Sequence, residues 1–219
     1  MNRTDALKQT KKFWNNFYAK NRQNKPSPFA IWSIDNYIHK DDNIFEIGCG
    51  DGRDSFAFVA NNNSILAIDG CEVAIEYNNK QLQKLSYKPN ALFKAIDFTN
   101  LNTLNTNFKF TLCYSRFVLH AIPEDLEDIL LEYIYKNLPR GGKMIHEFRT
   151  NHDKLMQQGE QLSQSERLTD HYRRFINTKL FREKLLKLGF KELFFLESNN
   201  LAPYKDENPV VARIVVEKV

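Results

Sequence analysis

Apolar positions recur along this chain at two spacings, one helical and one extended. Leu7, Phe13, Trp14, Phe17 and Tyr18, with charges between them, predict an amphipathic helix over residues 2–20. A polar stretch ending in Pro26-Ser27-Pro28 should stop it. Residues 29–38, with Phe29, Ile31, Trp32, Ile34, Tyr37 and Ile38, predict a second helix. Short apolar runs then alternate with helical ones. Strands are predicted at 44–47, 64–68, 91–96, 108–114 and 143–148, separated by helices at 54–60, 71–85 and 123–137. Residues 100–107 read as a loop with room for a short helical turn at Leu101 and Leu104, and residues 151–174 are polar without clear periodicity. A helix at 178–188, stopped by Gly189, and two last strands at 190–197 and 210–216 complete the pattern. Five strand and helix alternations before a terminal strand pair imply an α/β fold: a seven-stranded, mostly parallel, Rossmann-like sheet with helices on both faces and an antiparallel C-terminal strand.

Composition adds bounds rather than identity. With 219 residues, 42% of them apolar, the chain can bury one substantial core and is read as a single domain, 1–219. Residues 1–40 form an N-terminal helical cap and 151–177 an insertion on the substrate side. Trp14 and Tyr18 are the cap residues expected to face a ligand. No run is long enough for a membrane span and the first residues lack a secretory apolar stretch, so a cytoplasmic location is expected. Cys49, Cys71 and Cys113 have neither disulfide nor zinc spacing, so reduced thiols and no metal are expected. The net charge of +4 decides little, although 167–191 is rich in Lys and Arg and reads mainly as a solvated helix face.

The candidate chemistry starts where the first strand ends. Ile44 to Ile47 runs straight into Gly48-Cys49-Gly50-Asp51-Gly52-Arg53-Asp54, a turn whose glycines let backbone approach a nucleotide-like ligand closely. The spacing fits neither the GxGxxG of dinucleotide enzymes nor a phosphate loop ending in Gly-Lys-Ser/Thr. Asp69, before Gly70, ends the second strand about twenty residues on, where a carboxylate can accept from both ribose hydroxyls. Asp97 ends the third strand, placed to accept from a base amine, with the Phe98 backbone N–H beside it.

In this order and spacing, these features resemble the class I S-adenosylmethionine (SAM)-dependent methyltransferases, closely over residues 40–150 and by architecture beyond. The family motif, an acid followed by GxGxG, falls on Glu46, Gly48, Cys49, Gly50, Asp51 and Gly52. The resemblance implies SAM as cofactor and S-adenosylhomocysteine as product. It assigns Asp69 and Gly70 to the ribose, Asp97 and Phe98 to the adenine, and Tyr114 and Ser115 to the methionine portion. The turn Leu138-Pro139-Arg140-Gly141-Gly142 is similar to the family's LxxGG turn. Arg53, just past the glycines, is a candidate partner of the methionine carboxylate.

The acceptor must lie at the carboxyl edge, near Arg116, His120 and Arg149. His120 is a candidate general base by its ordinary pKa. Tyr172, Arg173 and Arg174 in the insertion suit a phosphate or carboxylate. The Asn/Asp-Pro-Pro-aromatic motif of amino-methylating nucleic-acid enzymes is replaced by Tyr114-Ser115-Arg116-Phe117, which disfavours adenine as acceptor. The segments 114–122, 171–174 and 208–213 resemble bacterial methyltransferases of capsular-polysaccharide clusters, some linked to O-methyl phosphoramidate. That resemblance implies a small anionic acceptor, phosphorylated or sugar-linked. An already anionic oxygen needs no base and would leave His120 as a donor. Two other classes stay open: an RNA or protein methyltransferase using the basic window, with salt-sensitive binding, and a SAM-binding protein without turnover.

Overall fold

Ile44 and Phe45 are neighbours in sequence and lie in different cores, because alternate residues of a strand leave opposite faces of its sheet. In the computed structural model, which describes residues 1–104 and 107–219 and leaves aside the side chains at 98, 99 and 102, this strand is β1 (Asn43–Ile47). Phe45 and Ile47 join Leu66, Ile68, Leu130, Ile134 and Phe148 on one side. Ile44 joins Phe29, Phe58, Ala67, Tyr114 and Ile145 on the other. A sheet buried on both faces explains why its strands read as unbroken apolar runs.

The elements follow in order as α1 (Arg3–Lys20), α2 (Pro28–Asn36), β1, α3 (Arg53–Ala60), β2 (Ser64–Asp69), α4 (Glu72–Leu82), β3 (Ala91–Ala95), β4 (Leu112–Arg116), α5 (Glu124–Asn137), β5 (Lys143–Arg149), β6 (Glu160–Gln161), β7 (Glu166–Leu168), β8 (Tyr172–Arg174), α6 (Thr178–Leu188), β9 (Phe190–Ser198) and β10 (Val211–Lys218). The main sheet has the order β3-β2-β1-β4-β5-β10-β9. All pairings from β3 to β5 are parallel, and β10 is antiparallel to both its neighbours. The order reverses at β1, so the loops after β1 and β4 diverge at one edge and open a crevice there.

Local chemistry sets the boundaries. Ser27 caps α2 by accepting from the Ala30 N–H at 3.0 Å, and Pro28 follows at the first helical position. Gly189 ends α6 in the left-handed region, at φ +96°. Pro123 caps α5 from outside, and Glu124, Asp125 and Glu127 fill its first turn, where acids complement the helix dipole.

Three boundaries differ from expectation. The fourth strand starts at Leu112 and not at 108, because its partner β1 starts at Asn43 and its ladder begins at Ile44 opposite Leu112. It also runs two residues further, which places Arg116 inside the strand. The short helical turn allowed for in the loop is present as a 3-10 turn, Phe98–Thr103, which takes in Leu101 but stops before Leu104; residues 105 and 106 lie outside the described ones. The polar stretch after β5 holds a three-stranded antiparallel sheet, β6-β7-β8, built of strands too short for alternation to be read. Among the described residues, no helix is long and apolar enough to cross a membrane.

Candidate active site

The crevice at the carboxyl edge is a cavity of about 730 Å³, within the usual range for small-molecule sites. Its floor is the glycine turn between β1 and α3. Gly48, Gly50 and Gly52 have φ of +70°, +52° and +77°, the left-handed region. A Cβ at Gly48 would sit 2.2 Å from Val118 Cγ2, and one at Gly50 2.3 Å from the Tyr18 hydroxyl, so side chains lie directly on this backbone.

Carboxylates gather at the glycine end. Glu46, Asp51, Asp54, Asp69 and Asp97 all line the cavity, as do Gly70 and Cys49. Asp69 spans the turn, accepting from the Gly50 and Cys71 N–H groups, each at 2.8 Å. Those bonds moderate a pKa that burial raises. Glu46 is 3% exposed, accepts from the Ser55 hydroxyl, and is pushed up to about 8 by burial first and then by Asp54. Burial also raises the Cys49 thiol well above its ordinary value, so it stays protonated. Arg53 reaches Gln23 Oε1 at 3.3 Å and stands 3.9 Å from Asp54. Phe98, expected beside Asp97, has its side chain outside the described ones.

Tyr114 and Ser115, expected beside the cofactor, have their side chains in the cores. Tyr114 stacks on Phe29 at 5.2 Å and donates to Asp54 at 2.9 Å. The Ser115 hydroxyl pairs with His146 Nδ1 at 2.6 Å. It is the next residues, Arg116, Phe117 and Val118, that line the cavity. Phe117 was not singled out from the sequence. It sits at φ +62°, rare for a bulky residue, with the Arg116 guanidinium 4.2 Å from its ring and the His120 ring at 5.1 Å. Its place just past a parallel strand was the available signal.

The basic residues divide sharply. Arg116 donates through Nε to Glu147 at 2.9 Å, and Glu147 also takes Arg213 at 2.8 Å. Arg149 is held by Asp153 at 3.1 Å and by Glu207. Arg173 donates to Asp170 at 2.6 Å; burial raises the Asp170 carboxyl, and His171 and Arg173 outweigh it and hold the group well below the usual range. All three arginines line the cavity. Tyr172 and Arg174 do not. Tyr172 is fully buried and donates to Glu166 at 2.6 Å, while Arg174 donates to the Leu119 and Ile122 carbonyls and pairs with buried Glu127. The acceptor role expected for these two is therefore replaced by a structural one: they leave β8 on the face opposite Arg173.

Helix α1 closes the cavity from above. Trp14 and Tyr18 line it as expected, together with Leu7 and Phe13. Trp14 stacks on Tyr18 at 5.7 Å, and His171 lies against Phe13 and Trp14 at 4.5 and 4.8 Å. Thr10 accepts from the Tyr172 N–H at 2.8 Å and Arg3 pairs with Glu166 at 2.9 Å, tying the helix to the small sheet.

A parallel sheet with one reversed strand, a glycine turn after β1 and a ligand-sized cavity over the carboxyl edge together define a Rossmann-like methyltransferase fold. The chain belongs to the methyltransferase-domain family, whose model matches residues 38–194. Among solved structures, it is similar to a SAM-dependent methyltransferase from Methanosarcina mazei, with 18% identity over 85% of this chain and 96% of that one and a TM-score of 0.70. It is also similar to magnesium protoporphyrin IX methyltransferase from Synechocystis PCC 6803 with bound SAM, with 13% identity, 87% and 76% coverage and a TM-score of 0.62. A third is a glycopeptide N-methyltransferase complexed with SAM, with 12% identity, 89% and 95% coverage and a TM-score of 0.66. At these identities the likeness is one of fold. No curated protein matches the sequence.

Proposed function

We propose that this protein transfers the methyl group of SAM to a small anionic acceptor. The observation that carries the reading is the layout of one cavity, with carboxylates gathered at the glycine turn and, at the end of β4, the Arg116 guanidinium, whose carboxylate partner is shared with Arg213. The donor set fits the cofactor. SAM carries a sulfonium and an ammonium, and the buried Glu46, which keeps its proton up to about pH 8 with Asp54 nearby, marks a place where added positive charge is welcome. Asp69 retains lone pairs for ribose hydroxyls while holding the turn, and Asp97, which lines the same cavity, is the candidate partner of the adenine amine. Arg53 is the remaining cation for the cofactor carboxylate.

When bound, SAM supplies an electrophilic methyl for in-line displacement, and the protein's work is to position the acceptor and exclude water. Trp14, Tyr18 and Phe117 wall off the solvent. Arg116 holds the acceptor's anion, since its terminal nitrogens have no hydrogen-bond partner among the described residues and its carboxylate partner is shared with Arg213. Arg149, saturated by two acids, positions loops instead. His120 donates a hydrogen bond. The finer assignment, O-methylation of a phosphorylated or sugar-linked acceptor as in capsular polysaccharide or phosphoramidate synthesis, rests on sequence resemblance alone.

Calorimetry tests the core of this reading: S-adenosylhomocysteine should bind the purified protein in the micromolar range, and absence of binding would sink it. The acceptor side is tested by Arg116→Gln, which should raise the acceptor KM by about tenfold or more while leaving cofactor affinity unchanged.

A further inference from the structure

We propose that the acceptor is an amphiphilic carboxylate, with an apolar, ring-sized body lodged between α1 and the start of α5 and its single anionic group at Arg116. This rests on the methyl-transfer reading above and narrows its acceptor. Beyond the glycine turn two elements supply apolar lining: Leu7, Phe13 and Trp14 from α1, and Ile122, Pro123 and Leu126 from before and within α5. The only polar atom among these six side chains is the Trp14 indole N–H. The exposed Thr4, Lys8 and Lys11 of α1 also line the cavity.

Several of the polar groups around these side chains already have partners. Thr10 donates to the Ala6 carbonyl and accepts from the Tyr172 N–H, each at 2.8 Å. Asp170 is taken by Arg173 at 2.6 Å, and Arg149 by Asp153 and Glu207. The hydroxyls of a sugar lodged among the six apolar side chains would lose water there, at a penalty of roughly tenfold in affinity for each one left unpaired. An aromatic or aliphatic body meets the opposite situation. It would lie against Phe13 and Trp14, whose rings already pack on His171 at 4.5 and 4.8 Å, and displace water from surface that gains nothing by being wet.

At the head of the compartment Arg116 keeps positive charge to spare. Glu147, 1% exposed, serves two guanidinium groups, Arg116 at 2.9 Å and Arg213 at 2.8 Å. Of the two, Arg116 is the one that lines the cavity. Its planar fork suits a carboxylate, and its stacking over Phe117 at 4.2 Å fixes the plane in which that carboxylate must lie. A guanidinium whose carboxylate partner is shared, set beside apolar lining, suits an anion carried on an apolar body.

The test uses the full chain saturated with S-adenosylhomocysteine, the binding of which is measured first. 1-Naphthoate, decanoate and glucose 6-phosphate are then titrated calorimetrically. The two carboxylates should bind at least about tenfold more tightly than glucose 6-phosphate, and Arg116→Gln should remove about tenfold of that affinity. Leu126→Asn should weaken the carboxylates while S-adenosylhomocysteine affinity is retained. Glucose 6-phosphate binding as tightly as the carboxylates, or neither carboxylate binding to the saturated protein, overturns the amphiphile and leaves methyl transfer standing. Failure of S-adenosylhomocysteine to bind overturns both.

Discussion

The backbone N–H of Arg149 donates to Nδ1 of His120 across 3.1 Å, so the imidazole meets the cavity with that lone pair already used. Its proton is left on Nε2. Burial, reinforced by the Arg149, Arg173 and Arg174 charges and by His171, holds its pKa well below the ordinary value, so the ring is neutral throughout the physiological range. It is therefore set up to give a hydrogen bond and not to take a proton. His120→Gln, which keeps a terminal N–H, should retain methyl transfer within about tenfold, and His120→Ala should lose about a hundredfold. The pH profile of the wild type should show no inflection near 6.5. One that is present there and vanishes in His120→Gln would restore the general base.

Asp69 couples the cofactor end to the glycine turn through two backbone bonds. Asp69→Ala removes both, together with the proposed ribose contacts. Charge-assisted hydrogen bonds contribute about 1.5–3 kcal/mol each, so S-adenosylhomocysteine affinity should fall by about tenfold to a hundredfold. Asp69→Asn keeps one acceptor and should fall between. Unchanged affinity in calorimetry would remove Asp69 from the site.

Gly48 is constrained twice, by its φ of +70° and by Val118 Cγ2, 2.2 Å from where a Cβ would stand. Gly48→Ala should lower stability by about 1–3 kcal/mol in denaturant titration. Adding Val118→Ala removes the overlap and leaves the backbone strain, so the double variant should recover part of the loss. Recovery of none would place the whole effect in the backbone.

Arg173 and Arg174 show what could and could not be read in advance. The glycine turn, Asp69 and Asp97 were legible because strand ends in a parallel sheet are marked by apolar runs that stop abruptly, and side chains at those ends have one edge to occupy. The small sheet carries no such mark. Its strands of two or three residues are too short to show a period, so Tyr172, Arg173 and Arg174 read as one cluster. Within β8 they alternate, and only Arg173 reaches the cavity. Tyr114 fails for a related reason: with the strand running on to Arg116, it lies two residues inside the ladder and faces α2 and α3. The division predicts separable phenotypes. Arg174→Ala strips buried Glu127 of one of its two cations, the other being Lys184 at 2.9 Å, and should destabilise the fold by about 3 kcal/mol. Arg173→Ala should cost less stability and more activity. Equal loss of stability in both would contradict the alternation.

Glu46 gives the clearest pH signature. Its folded pKa is pushed up to about 8 by burial and by Asp54, while the unfolded chain titrates near the ordinary 4.5. Between those values the folded state holds a proton that the unfolded state has lost, so stability falls as pH rises from about 4.5 to about 8 and levels off above. The ligand-free protein should accordingly melt lower at pH 8 than at pH 6, and Glu46→Gln, which cannot ionise, should flatten that slope. A cationic cofactor reverses the preference, because it favours the carboxylate. Binding at pH 7 should then release close to one proton, seen as a dependence of the calorimetric enthalpy on buffer ionisation, and affinity should rise with pH until about 8. Glu46→Gln should abolish the proton release and weaken binding at pH 8 more than at pH 6. Proton release that persists in Glu46→Gln would assign the titration to another carboxylate of the cluster, with half-buried Asp69, whose pKa is also raised, the next to test.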